Sequence, residues 1–393
     1  MKIRIATHDD QRMAVIQEAV KQFRKEHSDV TVVLEMVPDK AELIEQVTGG
    51  SGPDIVEWEG ANMGQCLDAG LLSDLSEFIE RDHVDLEDFY PCIRNAVVDH
   101  GRVGALPVMA ETIGVFYNKQ HFDEAGLPYP QEGWTWDEFV TTAEKLTRTD
   151  DQGNIIRHGV FTSFGYMLYI EPVVWNNGGS FLSEDGRTLE GHLNHPATIE
   201  AFQRYLTLID KGISPRQGVG QDSWIDCFIH GKMSMYMDAN WAIKPMSPEQ
   251  KEKFGVVGFP SNKLQPKANL FQVYGYGIST TCSDRDLAWS FLRKLALPGN
   301  GVDKLWSVLN LAVSKTGAAQ SGQAADPLYK PFLEELKYGR LSAYQWLNMI
   351  PAFHFNGTFD TLIHASDAER ELQAAVTRTP TLVPIEPDNL AGW

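Results

Sequence analysis

The order in which strand-like and helix-like runs alternate constrains this chain more than any other feature. Residues 3–7 read as a short strand. Met13, Ile16, Val20 and Phe23 then fall at helical spacing on one face. Residues 30–37 are rich in β-branched side chains and read as the next strand. Gly49-Gly50-Ser51-Gly52-Pro53 breaks the chain, and residues 54–58 start a buried strand again. Strand–helix–strand order with short loops requires an α/β lobe with a largely parallel sheet. A second such segment begins near Gln272. There, residues 273–280 form a strand, and Ser283 caps a helix carrying Leu287, Ala288, Phe291 and Leu295. The early and late segments can share one sheet.

The region between them is more helical. Thr135-Trp136-Asp137-Glu138 is a capping box, with Trp134 and Phe139 placed for a hydrophobic staple. A second helix runs from Pro196 to about Lys211. Ile199, Phe202, Leu206 and Ile209 line one face, and Gly212 stops it. Residues 233–237 alternate as a strand and end in the loop Asp238-Ala239-Asn240-Trp241. At about 150 residues per domain, 393 residues correspond to two or three domains. No Pro- or Ser-rich linker marks a boundary, so the domains are read as discontinuous.

Lys plus Arg number 34 and Asp plus Glu 53, for a net charge of −19. A surface this acidic repels phosphate backbones and anionic lipids, which argues against nucleic-acid and membrane partners. The opening MKIRIATHDD has no apolar run of signal-peptide length, and no stretch approaches the 18 or so apolar residues of a membrane helix. Cys66, Cys92, Cys227 and Cys282 form no C-x-x-C pair and read as free thiols; one disulfide stays open for a protein outside the cytoplasm.

Catalytic signatures are absent. There is no phosphate-binding loop, no H-E-x-x-H helix and no G-x-S-x-G elbow. Gly218-Val219-Gly220 lacks a third glycine and reads as a loop. His192 and His195 read as capping or solvated residues rather than metal ligands. No metal and no cofactor is expected. Tyr274 and Tyr276 share one face of a strand, where packing or ligand contact are both open.

What stands out is aromatics at strand ends or in loops beside uncharged or acidic polar groups. Trp58 precedes Glu59 and Asn62. Trp175 precedes Asn176 and Asn177. Trp241 follows Asp238 and Asn240, and Asp10 and Gln11 follow the first strand. In open α/β sheets, ligands lie beyond the carboxyl ends of strands. Flat apolar faces beside hydrogen-bonding groups suit a sugar, which offers C–H faces and a ring of hydroxyls.

Nine short segments occur in a familiar order: Gly52-Pro53-Asp54-Ile55, Ala69-Gly70-Leu71-Leu72, Gly104-Ala105-Leu106-Pro107, Tyr117-Asn118-Lys119, Ala125-Gly126-Leu127-Pro128, Thr135-Trp136-Asp137-Glu138, Asn177-Gly178-Gly179, Gly231-Lys232-Met233-Ser234-Met235 and Asp238 to Trp241. On these the chain resembles the extracytoplasmic solute-binding proteins of carbohydrate ABC importers, the maltose-binding-like group, over nearly its whole length. The resemblance implies a two-lobed periplasmic-binding-protein-like α/β fold, its discontinuous lobes joined by hinge crossings near 109–112, 273–276 and 312–314. Lobe one would be 1–109 plus 277–311, and lobe two, more helical, 112–273 plus 315–393.

It also implies a pocket. His8, Asp10 and Gln11 fall where the group places polar sugar contacts, with Gln11 in place of the usual lysine. Trp58 matches a stacking tryptophan, and Asn62 stands in place of an arginine. Glu111 matches the acidic residue beside the first hinge, and Tyr166 falls near a polar and aromatic pair. Trp241 matches a second tryptophan, with Asn240 in place of the usual proline. Phe353, His354 and Phe355 fall at another aromatic platform. Glu59, Trp175, Asp238, Tyr274 and Tyr276 complete the candidate contacts. The expected partners are a mono- or oligosaccharide and, transiently, the transmembrane subunits of an ABC permease. The protein is expected to be a monomer in the periplasm or a cell-surface lipoprotein, its signal segment absent from this chain.

Two other readings stay open. A receptor for another solute, a polyamine or a sugar phosphate, would draw on Glu59, Glu111 and Asp238 for the former, while few candidate positions offer the Arg or Lys that the latter needs. A carbohydrate hydrolase would use Asp10 and Glu111 as its carboxylate pair, about 5–9.5 Å apart.

Overall fold

The computed structural model describes residues 2–7, 9–37, 40–60, 63–162, 167–184, 186–216, 223–262, 265–299, 301–343 and 367–378. They form two compact α/β units. The first takes Met1–Glu111 and Gln272–Ala325; the second takes Thr112–Phe271 and the described chain from Asp326 onward. The chain passes from one unit to the other at 111/112, 271/272 and 325/326.

In the first unit, the Lys2–Thr7 strand lies between two parallel neighbours, Thr31–Met36 and Ile55–Glu59. The late strand, Asn269–Ile278, joins this sheet through its second half. It runs antiparallel to the third strand, with Tyr274 opposite Glu59 and Tyr276 opposite Glu57. Thus the early and late segments do share one sheet, and the late strand departs from the parallel pattern. Gly275 is required there, since a Cβ would sit 2.6 Å from the Leu106 carbonyl oxygen.

The Asp10–Glu26 helix packs on this sheet. Its N-cap is Asp9, whose carboxylate accepts from the backbone N–H groups of Gln11 (2.8 Å) and Arg12 (2.9 Å). Its buried face is Arg12, Val15, Ile16, Ala19, Val20 and Phe23. The periodicity predicts Met13 on that face, but Met13 is only partly buried, and a charged residue takes the core side instead. The late helix, Arg285–Ala296, is capped by Asp284 rather than Ser283. It supplies Trp289 and Phe291 to the same core, where Phe23 meets Phe291 edge-on at 5.2 Å. Each such apolar side chain contributes roughly 1.5–3 kcal/mol on burial.

The second unit is built on the Met233–Ala239 strand. It pairs antiparallel with the Ile113–Tyr117 stretch and parallel with His158–Thr162. The capping box at Thr135 forms as predicted, Thr135 and Glu138 each accepting from the other's backbone N–H. The staple forms too, Trp134 meeting Phe139 edge-on at 5.4 Å. The Pro196–Asp210 helix is capped by the His195 ring, which accepts from the Ala197 N–H. It buries Phe202, Leu206 and Ile209 as expected and Tyr205 besides, while Ile199, expected on the same face, is only partly buried. Among the described residues, no helix is long and apolar enough to cross a membrane.

Candidate functional site

Strand parity builds the first group of polar residues. Glu57 and Glu59 are two apart on one strand, so both side chains stand on the same face. Tyr276 and Tyr274 lie directly across from them. Arg12, on the core side of the first helix, comes down onto this face. Its Nη1 donates to Glu57 Oε1 and, at 2.6 Å, to Glu59 Oε1. The guanidinium carbon lies 4.3 Å from the Tyr274 ring centroid. Thr7 Oγ1 donates to Glu57 Oε2 at 2.7 Å, and the Tyr276 hydroxyl lies 3.4 Å from Thr7 Oγ1. Burial alone would lower the Arg12 pKa, but the charges of Glu57 and Glu59 outweigh it and hold the guanidinium firmly protonated.

Glu111 joins this group. The Asn310 amide donates to its Oε1. The Tyr274 hydroxyl lies within reach of both the Glu111 carboxylate and Gln272 Oε1, the latter at 3.0 Å. Burial pushes the Glu111 carboxyl above the usual carboxylate range, and Glu59 adds to the push. Asn310, Arg12 and Tyr274 pull the other way. The first unit therefore carries a connected polar cluster: Arg12, Glu57, Glu59, Glu111, Tyr274 and Asn310.

In the second unit the Met233–Ala239 strand ends in a short turn, Asn240–Ile243, that holds Trp241 with 39% of its surface exposed. The residues before it are locked in place. Asp238 is buried and accepts from the Tyr169 and Tyr236 hydroxyls, and from its neighbour's N–H at 2.7 Å. Asn240 is buried, its Oδ1 accepting from the Thr112 N–H at 3.2 Å. These two frame the turn rather than face a solute.

The expected contacts thus separate into groups. Glu59, Glu111 and Tyr274 are gathered around Arg12. Asp10 and Gln11 are exposed on the first helical turn. Trp241 is exposed at its strand end. Tyr276 belongs to the core instead: its ring is fully buried, 6.0 Å from the Trp306 ring. Trp58 is also internal. Lying between Glu57 and Glu59 in the strand, it points to the opposite face, is 3% exposed and bonds to the Cys66 thiol. As placed, it offers no platform to a sugar. Trp175 is partly buried in the Met167–Asn176 helix, with the Arg340 guanidinium carbon 5.9 Å from its ring. Asn176 beside it is spent on backbone, donating to the carbonyls of Pro172 and Ala268 at 2.7 Å each. His8, Asn62, Tyr166, Phe353, His354 and Phe355 lie outside the described residues.

Sequence reasoning missed Arg12, Glu57 and Asn310. For Glu57 the signal was available, because strand alternation puts it on the face of Glu59 and away from Trp58. Among the described residues no His, Cys, Asp and Glu side chains gather as a metal site. No disulfide joins the four cysteines, and burial pushes the thiols of Cys66, Cys92 and Cys282 up to about 12.

Over residues 7–302 the sequence matches the bacterial extracellular solute-binding proteins, and the chain belongs to that family. It is 26% identical over 287 residues to the maltotriose-binding protein of Pyrococcus abyssi, a match covering 72% of this chain and 59% of that protein. In structure it is similar to the sugar-binding protein MalE from Xanthomonas citri (TM-score 0.81, 16% identity, 100% and 98% of the two chains). It is also similar to an ABC substrate-binding protein from Listeria monocytogenes in complex with cycloalternan (TM-score 0.74, 22% identity, 99% and 97%). The fold is therefore that of the two-lobed periplasmic sugar-binding proteins.

Proposed function

We propose that this chain is the carbohydrate receptor of an ABC import system, capturing a mono- or oligosaccharide outside the cytoplasm and passing it to a membrane permease without altering it. The observation that carries the reading is Trp241. An indole left 39% exposed, at the end of a strand and on a turn held rigid by Asp238 and Asn240, is a preformed flat apolar surface. In a family of solute receptors, such a surface suits a sugar ring. Glu59 and Glu111 supply acceptors for hydroxyl groups, and Tyr274 supplies both an aromatic face and a hydroxyl. A relative named as a maltotriose-binding protein and a structural neighbour in complex with cycloalternan support an oligosaccharide, with maltotriose the first to try.

A thermal-shift screen against mono- and oligosaccharides, maltotriose included, tests it. A sugar present at one hundred times its Kd stabilises the protein by about 2.7 kcal/mol, a visible rise in Tm. No shift with any carbohydrate, alongside a shift with polyamines, would replace this reading with another solute. Chromatography after prolonged incubation should recover the oligosaccharide intact; shortened products would make the chain a hydrolase.

A further inference from the structure

We infer that Arg12 is the positioning residue of the sugar site: its guanidinium holds Glu59 and Tyr274 in one fixed arrangement and, through the Tyr274 hydroxyl, orients Glu111. The inference rests on the carbohydrate reading above. Three features carry it. First, Arg12 is itself immobilised. It sits on the buried face of its helix beside Val15 and Ile16, and its backbone N–H is held by the Asp9 cap. Second, one guanidinium serves several groups at once. Nη1 donates to both Glu57 and Glu59, while the plane covers the Tyr274 ring at 4.3 Å. A planar fork can bond at its edge and stack on its face together, which a lysine ammonium cannot. Third, the groups it holds differ in role. Glu57 is almost wholly buried and anchored by Thr7, so it fixes the arginine. Glu59, Glu111 and Tyr274 are only partly buried, so they are the ones a sugar can reach.

Without Arg12, two neighbouring carboxylates lose the cation between them and repel each other. The Tyr274 ring loses its cover, and its hydroxyl no longer keeps one distance to Glu111. The groups facing Glu111 are Arg12, Glu59, Tyr274 and Asn310. Of these, Arg12 is the cation that favours its ionised form, so its removal makes Glu111 keep its proton to higher pH.

The test is calorimetric titration of maltotriose, from pH 5 to 9, into the wild type, Arg12→Met, Arg12→Lys and Phe23→Leu. Arg12→Met should bind about tenfold more weakly, the loss expected when one well-placed bond to a charged group is misaligned. Its affinity should also turn over at a higher pH than that of the wild type. Arg12→Lys, which keeps the charge without the plane, should lose affinity but keep the wild-type pH profile, and it carries the test if Arg12→Met does not fold. Phe23→Leu weakens the same helix two turns or more away, so it should lower Tm and leave both affinity and pH profile alone. Unchanged affinity and pH profile in both arginine variants would overturn the positioning role. A wild type that binds no carbohydrate would instead overturn the carbohydrate reading.

Discussion

Removing the indole of Trp241 should cost the sugar its principal apolar contact. A tryptophan has roughly 250 Å² of surface to bury. With 39% of it exposed, about 100 Å² is open to a ligand. At about 25 cal/mol per Å², a sugar face that covered all of it would gain roughly 2.5 kcal/mol. Stacking on one side covers about half of that area, and the sugar's own C–H face is covered in return, so an effect of about 2 kcal/mol, or thirtyfold in Kd, is expected. Trp241→Ala should therefore weaken maltotriose binding by about that factor. Because the turn is held by the Thr112–Asn240 bond and by Asp238 rather than by the indole, Tm without sugar should change little. Calorimetric titration with a parallel thermal melt separates the two effects. A variant that melts as the wild type does and binds with unchanged affinity would mean that the indole faces bulk water.

Glu171 should make the protein less stable as pH rises. Burial pushes its carboxyl from the usual 4.5 up to about 8, so between those values the unfolded chain has lost a proton that the folded chain keeps. At about 1.36 kcal/mol per pH unit, the loss across that window is at most about 5 kcal/mol. Glu171→Gln should flatten the fall in urea-unfolding stability between pH 5 and 8, and a variant as pH-dependent as the wild type would refute the assignment. Thr135→Ala removes one half of a formed capping box and should cost about 1 kcal/mol by denaturant titration, without affecting sugar affinity. Tyr276→Phe deletes a hydroxyl in the core, 3.4 Å from Thr7. It should leave maltotriose affinity within twofold, whereas a large loss would return Tyr276 to the ligand contacts.

What the sequence disclosed and what it hid divide along physical lines. The capping box at Thr135, its Trp134–Phe139 staple and the Pro196 helix depend on residues within a turn or two of each other, and all three form. The first three strands show through β-branched runs and a Gly–Pro break, signals that are also local. The third changeover between the units carries no such signal, because it depends on how distant segments pack. Ser283 and Asp284 are neighbouring cap formers, and the helix takes the second, whose carboxylate accepts from the Leu287 N–H.

The candidate site was half visible for the same reason. Glu59 and Trp241 stood out as polar and aromatic residues at strand ends, Tyr274 as an aromatic on one face of a strand, and Glu111 only through the family resemblance. Arg12 did not, because an arginine beside Met13 reads as the solvent side of an amphipathic helix. A cation is tolerated on the core side only when carboxylates meet it there, and those come from a strand more than forty residues away. The apolar face keeps Ile16, Val20 and Phe23 inside, and Arg12 joins it through a polar contact that periodicity cannot contain. The same contact ties Arg12 to Tyr274 on the late strand, whose register against Glu59 exists only once the two ends of the chain share a sheet. A local reading also set Trp58 and Glu59 side by side as contacts, though adjacent residues of a strand must face opposite ways. The charged network requires the Glu57–Glu59 face, and so the indole goes to the other side. The group that organises the first unit's polar face is therefore one whose side-chain partners all lie on strands, none of them near it in sequence.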